Sequence, residues 1–180
     1  MSYNVRADRI AQDIDDDVQK TILDFLKTYD FQYATCIDDK EALRDLFIEH
    51  FRDRHNLAWL KQRLYKLASK EGKNLRGIAS CAWTETNRLH TMGLGRVILS
   101  KGMTRCTTVH TYGRPKSMTD VCTRNLEGKE FDIQEILNNT FPRTLKETTR
   151  TDIPMIPQHL NCRHVMAPVQ KERQLITTPA

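Results

Sequence analysis

A chain of 180 residues, 39% hydrophobic and 28% charged, has an ordinary globular composition and can bury a core without metal or disulfide support. It contains no run of 18 apolar residues, which argues against a membrane-spanning helix, and its polar, acidic opening resembles neither a secretory signal nor a transit peptide. The net charge of +5 is unevenly placed: residues 1–75 hold 13 Lys/Arg against 14 Asp/Glu, and residues 76–180 hold 15 against 9. The second half is therefore the expected place for contact with phosphates or an acidic partner, against the plainer reading of a solvated basic surface. Five cysteines at wide spacings (Cys36, Cys81, Cys106, Cys122 and Cys162) do not form a secreted disulfide framework and fit mostly reduced thiols.

Taken in chain order, the first 30 residues place Ile10, Ile14, Val18, Ile22, Phe25, Leu26 and Tyr29 on one helical stripe, with Asp13, Asp15, Asp16, Asp17 and Lys20 opposite. FQYATC, 31–36, reads as a short strand or an extended link. Asp38 or Asp39 can cap the next helix, with Glu41 in its first turn and Leu43, Phe47, His50 and Phe51 on its apolar face. Asn56 is a further N-cap, followed by Leu57, Leu60, Leu64 and Leu67, and Gly72 ends that helix. A fourth helix is expected from about Leu75 to Ser100, with Ile78, Ala82, Leu89 and Val97 facing inward. Its Gly93 and Gly95 either weaken it or allow close packing, and GLG is too short for a phosphate loop.

Beyond Gly102 the character changes. CTTVHTYG, 106–113, is β-branched and strand-like. LEGKEFDI combines a glycine turn with an extended stretch, DIQEILNN is a short helix, and CRHVMAPV resumes a strand pattern. The expected fold is α+β, mainly helical in the N-terminal half and followed by a small β-containing C-terminal unit. The expected division is 1–75 as a helical partner-binding region, 76–169 as a second unit, and 170–180 as a tail.

Two motifs carry the chemistry. In IPQHLNCRHVMAPV, 156–169, His159, Cys162 and His164 fall within six positions between prolines. His-x-x-Cys-x-His spacing can bring ligands to one zinc ion, with Cys122 as a fourth ligand and Cys106 or His110 behind it. A Cys122–Cys162 disulfide, catalysis by Cys162 with His159 or His164, and plain packing that clamps an irregular segment are the alternatives. In TETNR, 84–88, Glu85 and Arg88 stand three apart on a helix. They form either a surface ion pair or a polar stripe that receives the C-terminal segment through Arg163 or backbone amides. No glycine-framed nucleophile, paired-carboxylate motif or phosphate loop is present, so the expectation is a protein that is not an enzyme.

The order of these pieces resembles the C-terminal domain of the Mu F-like phage head-morphogenesis, or minor capsid, family. The resemblance rests on Thr84, Glu85 and Arg88; Asp120 and Cys122; Leu126, Gly128 and Phe131; and Pro157, His159, Asn161, Cys162, Arg163 and His164. It spans residues 76–169. His164 stands where many relatives carry cysteine, and no second cysteine stands beside Cys122. The resemblance implies a structural virion protein made in few copies and assembled in the host cytoplasm. It would act at the portal or neck, bind portal or neck proteins and copies of itself, and in some cases accompany the DNA. The competing reading is a nucleic-acid-binding module built on a zinc knuckle.

Overall fold

The computed structural model describes residues 15–31, 34, 37–110, 126, 128–140, 156 and 164–169. In chain order these form α1 (Asp16–Leu26), α2 (Lys40–Arg52), α3 (Leu57–Lys70), α4 (Ile78–Ser100), β1 (Arg105–His110), β2 (Glu130–Asp132), α5 (Ile133–Thr140) and β3 (His164–Pro168). The fold is α+β, with its helices mainly in the N-terminal part and a small antiparallel sheet beyond them. No helix among the described residues is long and apolar enough to cross a membrane.

The helix starts follow local chemistry. Asp15, Asp39 and Asn56 each turn a side-chain oxygen back to the amide three residues on, at Val18, Ala42 and Trp59, all at 2.9 Å. α3 ends at Glu71, and Gly72 follows at φ +65, the left-handed turn that glycine adopts without a Cβ clash. Side chains then join these ends to one another. The Glu71 carboxylate accepts the Asp38 and Asp39 amides at 2.8 and 3.0 Å, tying the end of α3 to the start of α2. Gln19 of α1 donates to the Phe51 and Arg52 carbonyls at 2.7 and 2.9 Å, satisfying the end of α2.

Val18, Ile22 and Leu26 of α1, Leu43, Phe47 and Phe51 of α2, and Leu57, Leu60, Leu64 and Ala68 of α3 are buried in one core with Ile78, Ala82, Trp83 and Leu89 of α4. Tyr29, Phe31 and Ile37 extend that core through the segment between α1 and α2. A second cluster joins Ile98 of α4 to Cys106, Ile133, Ile136, Leu137 and Met166. α4 belongs to both clusters, and Leu94 packs against each. The helix starts at Ile78, three residues later than expected, behind Gly77 at φ +86.

The close-packing role is the one α4's glycines play. A Cβ on Gly93 would sit 2.6 Å from Ile22 Cγ1 and 3.2 Å from the Val18 carbonyl oxygen, so α1 crosses directly over it. A Cβ on Gly95 would meet Leu137 Cδ2 of α5 at 2.8 Å.

The sheet order is β2-β1-β3, antiparallel throughout. β1 alternates as a half-buried strand should: Cys106 and Thr108 are buried, while Thr107 and Val109 are partly or fully exposed. Thr108 Oγ1 donates to the Leu126 carbonyl at 2.8 Å. Gly128, at φ +71, then turns the chain into β2.

Candidate functional site

The polar segment TETNR does not lie on a surface. Thr84, Glu85, Thr86, Asn87 and Arg88 are each at most 1% exposed, and Thr91 one turn on is fully buried. Successive helical residues are spaced about 100° around the axis, so five in a row point in every direction. Burial of all five means the helix is enclosed on all sides here. α1, α3, α5 and β3 all pack on α4. The expectation of an exposed ion pair at Glu85 and Arg88 is thereby overturned.

Inside this enclosure the side chains reach outward to other elements. Tyr29, just past α1, donates its hydroxyl to Glu85 Oε2 at 2.5 Å, a length typical of a charge-assisted O–H···O bond. Arg88 places its guanidinium 5.4 Å from the centre of the same tyrosine ring. Tyr29 meets Phe31 edge-on at 4.9 Å, and Phe31 meets Phe47 at 5.0 Å, so Glu85 sits at the polar end of an aromatic row. On another face, Asn87 Nδ2 donates to the His164 carbonyl at 3.0 Å. One helical segment thus holds both the chain leaving α1 and the C-terminal strand.

The polar-stripe expectation named Arg163 or backbone amides as the groups received from the C-terminal segment. The contact seen instead is from the Asn87 amide to a backbone carbonyl. Tyr29 and Asn87 were the two residues that sequence reasoning missed. Asn87 lies inside TETNR itself, so an uncharged amide in mid-helix was the available signal.

Thr84, Glu85 and Arg88 thus lie buried on α4 beside Asn87, the residue that reaches β3, and His164 of β3 is fully buried. Gly128 occupies the turn before β2. Asp120, Cys122, His159, Cys162 and Arg163 lie outside the described residues. Register separates one further candidate ligand. His164 pairs with His110, whereas Cys106 pairs with Pro168, four residues along β3. At about 3.3 Å per residue that is roughly 13 Å, too far for Cys106 and His164 to share one ion. Cys106 is buried and Cys81 half-buried.

A different set of potential ligands gathers at the end of α2. Donor atoms of Glu49, Asp53 and His55 lie within 4.8 Å of one another. The Asp53 carboxylate is already engaged by Arg52 through two bonds of 2.8 Å, which hold its pKa below the usual carboxylate range. His55 stacks on Trp59, with ring centres 4.0 Å apart. Just inside, the fully buried His50 packs against Phe47 and Phe51, and neither of its ring nitrogens has a hydrogen-bond partner among the described residues. Burial lowers its pKa to about 3, so it is a neutral core side chain at pH 7. Burial likewise lowers His90 of α4 to about 4, opposed by the Asp15 carboxylate.

Comparison with known protein families, with curated proteins and with solved structures finds no match to this chain.

Proposed function

We propose that this chain is a structural phage virion protein, a minor capsid or head-morphogenesis component. It acts at the portal or neck by binding the portal and neighbouring copies of itself. The observation that carries the reading is the use to which the T-E-x-x-R helix is put. Its polar side chains are enclosed and spent on joining chain segments, with Glu85 taking the Tyr29 hydroxyl and Asn87 holding the strand at His164. Groups arranged this way fasten a fold and are shielded from any substrate, which fits a structural role for this segment. The order of motifs from Thr84 to His164 adds the resemblance to the Mu F-like family.

On this reading α1–α3 supply the partner-facing body, and the sheet beyond α4 supplies a second surface. A reconstruction of particles containing this chain tests the proposal. The expected result is a ring of copies at the portal vertex. Absence from purified particles, or distribution over the whole shell, would overturn it.

A further inference from the structure

We propose that the outward face of α3 is a docking surface for the phosphate backbone of double-stranded DNA. This inference goes beyond the assembly role above and does not depend on it.

The charge count of the N-terminal half conceals the feature. Residues 1–75 balance almost to neutrality, yet α3 (LAWLKQRLYKLASK) carries Lys61, Arg63, Lys66 and Lys70 and no acid at all. α2, by contrast, mixes Lys40, Arg44 and Arg52 with Glu41, Asp45 and Glu49. Leu57, Leu60, Leu64 and Ala68 turn inward, which sends Gln62, Arg63, Tyr65, Lys66, Ser69 and Lys70 outward. Arg63, Lys66 and Lys70 follow at steps of three and four, so like charges are neighbours along the helix. That spacing works against the isolated helix, and a single glutamate at one of these positions would relieve it.

None of the four cations forms an ion pair among the described residues. The nearest acid at the helix end, Glu71, is turned away onto the Asp38 and Asp39 amides. The face is a shallow groove of about 650 Å³ in which Lys61, Lys66 and Lys70 surround Tyr65 and Ser69. At 1.5 Å per residue, Lys61 to Lys70 covers roughly 13 Å of a rigid rod.

A row of cations without ion-pair partners among the described residues, set on a rigid support, matches a polymer of regularly spaced phosphates, and it binds by releasing condensed counterions. A single strand fits less well, because it needs successive rings on which bases can stack. Trp59 is covered by His55 at 4.0 Å and by the Arg63 guanidinium at 5.3 Å, which leaves Tyr65 as the one exposed ring on this helix. A lipid surface would require an apolar stripe on the same face, and Tyr65 is the only large apolar side chain exposed there.

The test is fluorescence anisotropy of a labelled 20-base-pair duplex of mixed sequence, titrated with the full chain at several salt concentrations. The comparison is between the triple variant Lys61→Gln, Lys66→Gln, Lys70→Gln and a charge-matched control, Lys20→Gln, Lys101→Gln, Lys129→Gln. Both are first checked for wild-type circular dichroism and melting. Each phosphate contact contributes about 0.9 to the slope of log K against log salt. The α3 variant should therefore lose about 2.7 of slope and bind on the order of 100-fold more weakly at 0.1 M salt. The control should stay within about threefold of wild type. Equal losses in the two variants would overturn the proposal, as would wild-type chain that does not bind the duplex at low salt. Tighter α3-dependent binding to a single strand or to polyglutamate would also overturn it, by assigning the face to a different partner.

Discussion

Replacing Tyr29 with phenylalanine removes one oxygen from the centre of the fold. The ring stays, and with it the edge contact to Phe31 at 4.9 Å and the approach of Arg88 at 5.4 Å. What is lost is the 2.5 Å bond to Glu85, whose side chain is fully buried. Removing one partner of a buried hydrogen bond costs about 1–3 kcal/mol, and water does not reach the fully buried Glu85 to take the place of the Tyr29 hydroxyl. Tyr29→Phe should therefore destabilise the chain by about 2 kcal/mol, a fall in Tm of roughly 4–8 °C for a chain of this length. Urea unfolding followed by circular dichroism reads the difference directly. Tyr65→Phe, at an exposed position on α3, is the control and should lie within about 0.5 kcal/mol of wild type. If Tyr29→Phe behaves like Tyr65→Phe, the Glu85 bond does not stabilise the fold and the reasoning about α4 fails.

Two further predictions come from other parts of α4 and its surroundings. Gly93→Ala gains about 1 kcal/mol of helix propensity but drives a Cβ to 2.6 Å from the branched, fully buried Ile22 and to 3.2 Å from α1 backbone. Overpacking of about 1–3 kcal/mol outweighs the gain, so thermal melts should show a net loss, whereas Gly95→Ala has Leu137 side-chain atoms, Cδ2 at 2.8 Å and Cγ at 3.2 Å, as its nearest neighbours and should lose less. His50 has a folded pKa of about 3 against an unfolded value near 6.5, so the unfolded state takes up the proton first as pH falls. Its contribution is intact above pH 6.5 and is lost between there and pH 3, by about 1.4 kcal/mol per pH unit. His50→Leu should reduce the slope of stability against pH between 4.5 and 6 by about one proton, and an unchanged slope would contradict the assignment.

Much of the helical half was legible from periodicity and capping chemistry. The caps at Asp39 and Asn56 and the stop at Gly72 rest on local backbone chemistry that a sequence states directly, whereas Asp15, expected on the polar face of the first helix, is its N-cap. β1 and β3 were legible from their β-branched and alternating character. The pairing order β2-β1-β3 was not, because register depends on contacts far apart in the chain. Of the candidate site, the TETNR segment was legible as a polar stripe, its alternative reading as a surface ion pair fails on burial, and Tyr29 gave no signal. Hydropathy makes Thr84–Arg88 look solvent-facing, and only the packing of distant parts of the chain around α4 encloses them. The basic face of α3 escaped notice for the opposite reason: acids on α1 and α2 cancel it in any count over the first 75 residues.

The central claim is that the buried polar segment of α4 fastens the C-terminal strand to the helical core. Hydrogen exchange of Asn87→Ala, which removes the bond to the His164 carbonyl, tests it most directly. The account predicts faster exchange confined to the amides of residues 164–167 and to the β1 amides paired with them, with α1, α2 and α3 unchanged. Uniform acceleration across the whole chain, or no change in β3, would contradict it.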